Sequence, residues 1–461
     1  MSPRTLIAGA VFALCAATAA TASAADLMEV WQAVRQHDPQ GAVADAARAA
    51  GASRREQAAA LWRPTVGLSA SAGRASGESR MNGAQFSAPD FGATPITGAS
   101  FGTSVEGGTA TRWTLGARQP LHDAQRRAQG RQLNLAADAA EVEWQAAQQD
   151  WMLQTAQRYF ELVLAERRLA LLKRQQAAVE QALTEARDRF AIGDAPVTDT
   201  HEAAARALGL QAQAVAAADE LEMARQALAD GTGLAPERLQ PLAPVRAASS
   251  TGVDQLVQAL ELARQHNPML RLLRAQLDAA QAEADKHQLA ASPTVELVAQ
   301  ASRERLSGAG DFGGASNTQS QQMIGLALNV PLYTGGWRSA KLAESLRLAD
   351  RARAELDRAR LQVGQQTRSA WLALHSGAAR LDALAQALQA SKARLDATRL
   401  GRQVGDRTTL DLLNAENDAA AAELALLQAR SDLLQSRLRL DALLGQLDAA
   451  SLQAVNASLQ P

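Results

Sequence analysis

Residues 374–395 read LHSGAARLDALAQALQASKARL, with a leucine at every seventh position. Four leucines carry this repeat: Leu374, Leu381, Leu388 and Leu395. A strict seven-residue apolar repeat keeps one seam of a helix facing a partner and predicts a left-handed supercoil. No proline occurs between Pro331 and Pro461, and a helix from Trp337 to Leu400 would be roughly 95 Å long. Such a helix needs other long helices beside it, so the stretch predicts a coiled coil.

The first half of the chain has a similar proline-free stretch, which ends at residues 192–196, IGDAP. We predict that a helix resumes there, with Thr198 as its capping residue and Asp199 as a first-turn acid that suits the helix dipole. The turns at Gly193 and Gly405 are the two predicted helix-turn tips.

The chain contains two copies of one unit. Residues 35–39, RQHDP, recur as residues 264–268, RQHNP, an offset of 268 − 39 = 229. Further along, the offset between Gly193 and Gly405 is 405 − 193 = 212. An internal duplication follows, with repeats at 25–251 and 252–461.

Each repeat has the same predicted order of elements. The first has a helix over 27–61, strands 64–74 and 109–121, long helices 122–192 and 198–229, and a linker 231–251. The second has a helix over 253–290, strands 293–303 and 322–332, long helices 337–403 and 408–445, and a C-terminal segment. Glycine- and serine-rich connections, 73–108 and 307–321, join the strands of each pair.

The four strands alternate apolar residues with small or polar ones, which is typical of a half-buried strand. About ten residues suffice for a tilted strand to cross a bilayer. Four strands cannot close a barrel, and an open sheet edge is not tolerated in lipid. Several chains must therefore pool their strands. The residues alone predict a mainly α protein with an oligomeric membrane β-barrel and a long coiled-coil cylinder.

The first 24 residues have the pattern of an export signal, with Arg4, an apolar core and the small-residue site Ala22-Ser23-Ala24. The only cysteine, Cys15, lies inside this signal. The net charge of −1 argues against a nucleic-acid partner, which would require a basic stripe.

The sequence contains no recognisable motif for catalysis, cofactor binding or metal binding. The six histidines have no cysteine or carboxylate at metal-ligand spacing. Residues 308–313, GAGDFG, fit Gly-x-Gly-x-x-Gly, but a dinucleotide site requires that this turn opens a helix. We interpret it as a surface loop and expect no enzyme, cofactor or metal.

Several motifs resemble the TolC family of outer-membrane exit ducts. They are residues 27–30 (LMEV), 189–193 (RFAIG), 331–336 (PLYTGG) and 405–415 (GDRTTLDLLNA), and the resemblance covers the mature chain in order. It implies a homotrimer in which four strands from each chain form a twelve-stranded barrel in outer-membrane lipid. It also implies a periplasmic tunnel of helices that closes at its far end, and partners in a periplasmic adaptor and an inner-membrane pump.

The resemblance further implies a gate at the helix turns. Asp411 corresponds to an acidic ring near the threefold axis, and Asn414 stands where the family often has a second acid, so a weaker cation block is expected. Arg407 corresponds to the latch arginine, with Thr198 and Asp199 as its partners. Arg402 stands at the family's supporting tyrosine, whose glutamine partner falls near Ala182. The alternative for Asp411 and Arg407 is ordinary helix capping and surface pairing.

A barrel–tunnel junction is predicted where the strands meet the helices. Its residues are Pro64, Pro120, Pro293, Pro331, Gly335 and Gly336. Arg112 and Arg118, on the polar face of one strand, either line the lumen or belong to a solvated edge.

The predicted function is a passive outer-membrane exit duct for drug efflux or type I protein secretion. The alternative is a periplasmic coiled-coil adaptor or structural protein with no pore, whose strands would form a soluble sheet.

Overall fold

The computed structural model describes residues 26–86, 96–194, 196–233, 255–310 and 313–457. The predicted signal, most of the linker and the last four residues lie outside this part. The chain divides into two compact units, each assembled from both repeats. One comprises the described residues of Met1–Ala47, Val142–Leu272 and Asp357–Pro461, and the other Arg48–Glu141 and Leu273–Leu356.

The second unit contains one antiparallel sheet with the strand order β1-β2-β3-β4. Its strands are β1 (Thr65–Phe86), β2 (Ile96–His122), β3 (Thr294–Gly310) and β4 (Gly313–Asn329). They are longer than predicted, because most of the glycine- and serine-rich connections continue the ladder. The backbone pairs with the neighbouring strand whatever the side chains are, so strands made of small residues continue without an apolar period.

The Gly-x-Gly-x-x-Gly segment was wrongly interpreted as a surface loop over its whole length. Gly308 and Gly310 belong to β3, and Gly313 begins β4 and pairs with Gly310. Residues 311–312 lie outside the described part, and the described glycines on either side are the paired ends of β3 and β4.

One face of the sheet is apolar and exposed in the single chain. It presents Val66, Leu68, Trp113, Leu115, Leu297, Ile324, Leu326 and Leu328. The opposite face carries glycine, serine, threonine and charged residues. This alternation is expected of strands with an apolar environment on one side and water on the other.

Nine described helices accompany the sheet. They are α1 (Leu27–His37), α2 (Pro39–Ala60), α3 (Ala124–Ala191), α4 (Val197–Thr232), α5 (Leu256–His266), α6 (Pro268–Leu289), α7 (Trp337–Gln403), α8 (Thr409–Leu443) and α9 (Ala449–Ala457). Among the described residues, none of these helices combines the length and the apolar character needed to cross a bilayer.

The predicted helices 27–61 and 253–290 are each two helices, broken at Asp38 and Asn267. A proline follows each of these residues, and a proline disfavours helical backbone geometry at the residue before it. The side chains of Asp38 and Asn267 each cap the helix that follows. The Gln40 N–H donates to Asp38 Oδ1 at 2.8 Å, and the Leu270 N–H donates to Asn267 Oδ1 at 3.2 Å.

The core of the first unit contains residues from both ends of the described chain. Tyr159 and Phe160 of α3 are buried with Leu27 of α1, Leu434 of α8 and Leu452 of α9. Hydrogen bonds from Asn456 complete this contact. Asn456 Nδ2 donates to Asp26 at 2.8 Å, and its Oδ1 accepts from the Leu27 N–H at 3.1 Å. The C-terminal helix therefore holds the start of α1.

Asp441, near the end of α8, is a buried acid. Burial raises its pKa from 3.8 to about 6, although Arg437 acts in the opposite direction. The folded state therefore retains a proton that the unfolded state releases, and stability falls as the pH rises from about 4 to about 6.

We expect Asp441→Asn to stabilise the protein at pH 7, by at most about 3 kcal/mol at about 1.4 kcal/mol per pKa unit, and to change little near pH 3.5. Thermal unfolding at both pH values measures this. Asp432→Asn, at an exposed acid of the same helix, is the matched control and should have little effect at either pH. Equal stabilisation by Asp441→Asn at both pH values would contradict the assignment of the penalty to its charge.

Candidate gate at the helix turns

The two helix-turn tips share one backbone geometry. Gly193 and Gly405 have positive φ values of 78° and 83°. The Asp194 N–H donates to Arg189 O at 2.8 Å, and the Asp406 N–H donates to Gly401 O at the same distance. This pattern satisfies the last carbonyls of a helix and requires a left-handed residue, which glycine adopts without strain. The sequence duplication therefore builds two equivalent turns.

The start of α4 differs from the prediction. Its N-cap is Pro196, without a side-chain cap, and Val197 is the first helical residue. Thr198 is therefore inside the helix and exposed, and its prediction as the capping residue was wrong. The fixed φ of proline suits the entry to a helix, so Pro196 begins α4 without a side-chain acceptor. Asp199 does lie in the first turn.

The start of α8 is a reciprocal capping box. The Asp411 N–H donates to Thr408 Oγ1 at 3.1 Å, and the Thr408 N–H donates to Asp411 Oδ2 at 3.0 Å. The Thr408 hydroxyl also donates to Oδ2 at 2.9 Å. These bonds from the Thr408 backbone and side chain hold the pKa of Asp411 below its ordinary value, and Arg407 and Arg394 lower it further. Asp411 is therefore an ionised carboxylate with a fixed orientation.

Helices α3 and α4 form one hairpin around Gly193, and α7 and α8 form another around Gly405. An ion pair near these turns joins the two hairpins. Arg402 Nη2, in the last turn of α7, lies 2.5 Å from Glu185 Oε2 of α3. The Arg402 side chain is only 12% exposed, whereas Glu185 is 49% exposed. Glu185 belongs to this candidate gate by its ion pair with Arg402, and sequence reasoning missed it because its partner is 402 − 185 = 217 positions away in the chain.

A buried leucine adds an apolar contact beside this ion pair. Leu413 of α8 belongs to the same buried cluster as Val179 and Ala182 of α3 and Ala203 and Leu210 of α4. Ala182 stands near the position of the family's glutamine latch partner, and here it is part of the apolar packing. The turn between α7 and α8 is therefore fixed to the other hairpin by both charge and packing.

The predicted latch residues are not brought together within one protomer. Among the described residues, no hydrogen bond or ion pair connects Arg407 with Thr198 or Asp199. Arg407 is exposed, with its aliphatic stem against Gly401. Asn414, one turn beyond Asp411, is also exposed.

Comparison with known proteins identifies the family. The family model described as "Outer membrane efflux protein" matches residues 30–234 and 259–446, once in each repeat. The chain belongs to this family. It is an outer-membrane channel protein of efflux and secretion systems, and the two matched segments confirm the internal duplication.

Relatives and solved structures agree with this assignment. The chain is 31% identical over 335 residues to outer membrane protein TolC of Vibrio cholerae, covering 70% of this chain and 74% of that protein. It is 29% identical over 353 residues to the proteases secretion protein PrtF of Dickeya chrysanthemi, covering 75% of each. The fold is that of the outer membrane protein VceC of Vibrio cholerae, with a TM-score of 0.71, 21% identity and coverage of 91% and 96%.

A further fold match is the open state of the MtrE outer membrane channel of Neisseria gonorrhoeae. Its TM-score is 0.68 at 20% identity, over 92% of this chain and 90% of that one. Channels of this family are trimers that work with efflux or secretion machinery. The family model and the relatives favour the predicted channel over the alternative of a pore-less adaptor.

In this outer membrane efflux protein, the predicted junction residues lie at the ends of the strands or just beyond them. Pro64 and Pro293 directly precede β1 and β3, Pro120 is buried within β2, and Pro331 follows β4. Gly335 and Gly336 both have positive φ, of 62° and 81°, immediately before α7.

Two arginines that the sequence analysis missed make hydrogen bonds at this predicted junction. Arg126, in the first turn of α3, donates from Nη1 to Leu61 O at 3.1 Å and from Nη2 to Glu296 at 3.3 Å. Arg338, in the first turn of α7, donates from Nη1 to Ala290 O at 3.2 Å. The two are equivalent, since 338 − 126 = 212 is the offset of the helix turns. Each arginine satisfies a carbonyl beyond the end of the preceding helix.

The two lumen-facing candidates differ in their contacts. Arg112 lies opposite Glu304 in the register of β2 and β3, and its Nε donates to Glu304 Oε2 at 3.0 Å. Arg118 is exposed on the same face, between Thr65 and Val298. The charge of Arg112 is thus largely balanced, so Arg118 is the more available cation on this face.

Proposed function

We propose that this protein is a passive, trimeric exit duct, gated at its helix turns, that works with a periplasmic adaptor and an inner-membrane pump. Three chains would contribute twelve strands to one barrel in outer-membrane lipid. The exposed apolar face of the four-stranded sheet supports this arrangement, because that face needs an apolar environment. The energy for transport comes from the pump, and the duct needs no catalytic group.

The proposed gate is supported by one observation: Arg402, Glu185 and Leu413 connect the α7–α8 hairpin to the α3–α4 hairpin. The α7–α8 turn is held against α3 and α4 by two contacts. One is the ion pair, in which the Arg402 side chain is only 12% exposed, and the other is Leu413, which packs in the buried cluster of α3 and α4. Opening the duct would separate these hairpins, so both contacts have to change. A partner protein that binds near the turns can supply the free energy for that change.

The second part of the gate is a latch between protomers. Arg407 is exposed and makes no ion pair with Asp199 in its own protomer, and both residues lie at the turns. We propose that Arg407 pairs with Thr198 and Asp199 of a neighbouring protomer in the closed trimer. An arginine–carboxylate pair is directional and charge-assisted, and the three copies would act together around the axis.

The Asp411 carboxylate supplies the electrostatics of the closed tip. Because its capping bonds keep it ionised and oriented, three copies near a common axis would create a field that admits cations and binds divalent cations. Asn414 adds no charge one turn further, which supports a single ring.

The latch is tested by the double variant Arg407→Ser with Asp199→Ala in planar lipid bilayers. We expect the purified variant to conduct several-fold more than the natural sequence, with an unchanged oligomeric mass. Asp194→Ala, at a carboxylate that pairs with Arg189 inside its own turn at 2.8 Å, is the control and should leave conductance unchanged. Unchanged conductance of the double variant would refute the latch.

A further inference from the structure

Gly401 lies in the last turn of α7, directly under the side chain of Arg407. A Cβ atom built on Gly401 would be 2.8 Å from Arg407 Cγ and 3.7 Å from Arg407 Cβ. Carbon atoms in contact normally stay about 3.5–4.0 Å apart. The stem of Arg407 therefore occupies the space that any side chain at position 401 would need.

The backbone does not require glycine at this position. The φ of Gly401 is not positive, unlike that of Gly405. Its carbonyl accepts the Asp406 N–H at 2.8 Å, which alanine would do equally well. Glycine inside a helix costs about 0.5–1 kcal/mol relative to alanine. The contact with Arg407 is the feature that accounts for glycine here.

A second helical glycine provides the comparison. Gly364 is in the interior of α7, and a Cβ atom there would meet nothing within 4 Å. Alanine at either position replaces a helical glycine, but only alanine at 401 would displace Arg407. The two substitutions separate the contact from the general effect of removing a helical glycine.

We propose that Gly401 is a positioning residue for the gate, because its missing side chain lets the Arg407 stem lie on α7 and so fixes the direction of the guanidinium group. This inference rests on the latch role of Arg407 described above. The crowded atom is Cγ, near the root of the side chain, so the far end cannot relieve the contact alone. Relief of the contact requires Cγ to shift, by rotation about χ1 or by movement of the backbone of the turn, and either shift changes the direction of the guanidinium group.

The test compares Gly401→Ala, Gly364→Ala and Arg407→Ser, each in the full-length channel in planar bilayers. We expect Gly401→Ala to raise single-channel conductance at least two-fold, towards the level of Arg407→Ser, and Gly364→Ala to leave it unchanged. In the Arg407→Ser background, Gly401→Ala should add nothing. Circular dichroism and oligomeric mass establish that each variant is folded and assembled, and Gly401→Ser is a second variant if alanine fails to assemble.

Each outcome decides a different claim. If Arg407→Ser opens the channel and Gly401→Ala and Gly401→Ser do not, the positioning role is wrong and the latch remains. If Gly401→Ala raises conductance equally with and without Arg407, the glycine acts by another route and the inference is also wrong. If Arg407→Ser leaves conductance unchanged, both the latch and the role of Gly401 are refuted.

Discussion

Reversing the charge of Arg402 (Arg402→Glu) is expected to raise single-channel conductance several-fold, because it places two carboxylates against each other where the hairpins meet. The present pair is 2.5 Å apart, with Arg402 12% exposed and Glu185 49% exposed. Exposed pairs contribute less than about 1 kcal/mol and breaking buried ones costs about 3–5 kcal/mol. We therefore expect the loss of this half-buried pair to cost about 2 kcal/mol in each protomer, before the added repulsion.

The matched experiment is the charge swap. Arg402→Glu with Glu185→Arg should restore conductance towards that of the natural sequence, because the ion pair is rebuilt with its partners exchanged. Reversal at Asp194 (Asp194→Arg), whose partner Arg189 lies in the same helix turn, should leave conductance unchanged. If the swap conducts as much as Arg402→Glu alone, the pair is not the tie between the hairpins.

Replacing Asp411 by asparagine is expected to abolish the preference for cations and the block by divalent cations. Asparagine keeps an oxygen that can accept from the Thr408 N–H, so the cap of α8 should remain and stability should change little. Thr408→Ala is the complementary variant. It removes the cap, at a cost of about 1 kcal/mol, and keeps the carboxylate and its selectivity. Reversal potentials in a salt gradient and titration with a divalent cation measure both effects.

The pH dependence of selectivity follows from the lowered pKa of Asp411. The Thr408 bonds and the nearby arginines favour the ionised carboxylate, so its charge persists as the pH falls through the ordinary range of aspartate. Like charges from the other two copies near the axis would act in the opposite direction, so cation preference should remain at neutral pH and disappear only in acid. Selectivity that survives in Asp411→Asn would show that another group sets it.

The sequence predicted those features that have a period or a repeat. The heptad leucines in α7 predicted a long helix, and the offset of 212 between Gly193 and Gly405 predicted two equivalent turns. The strand lengths could not be predicted in the same way, since β1 continues through glycine and serine with no apolar period. The breaks at Asp38 and Asn267 were missed, although a proline follows each, because residues with helical propensity continue on both sides of that proline.

In the candidate site, too, the residues with a local sequence signal could be predicted and those that depend on packing could not. Asp411 and Asp199 lie in first turns of helices because acids suit the start of a helix, which sequence alone indicates. The Arg402–Glu185 pair depends on how two distant helices pack, and no local pattern encodes it. Arg126 and Arg338 could have been found, because they repeat at the same offset as the helix turns.

Single-channel conductance of the purified, detergent-extracted protein in planar bilayers, together with its oligomeric mass, tests the central claim most directly. A gated exit duct predicts a trimer with small, cation-selective openings that divalent cations reduce. A trimer with wide, unselective openings would contradict the closed gate at Asp411 and Arg402. A protein that is soluble without detergent and produces no conductance would contradict the duct itself.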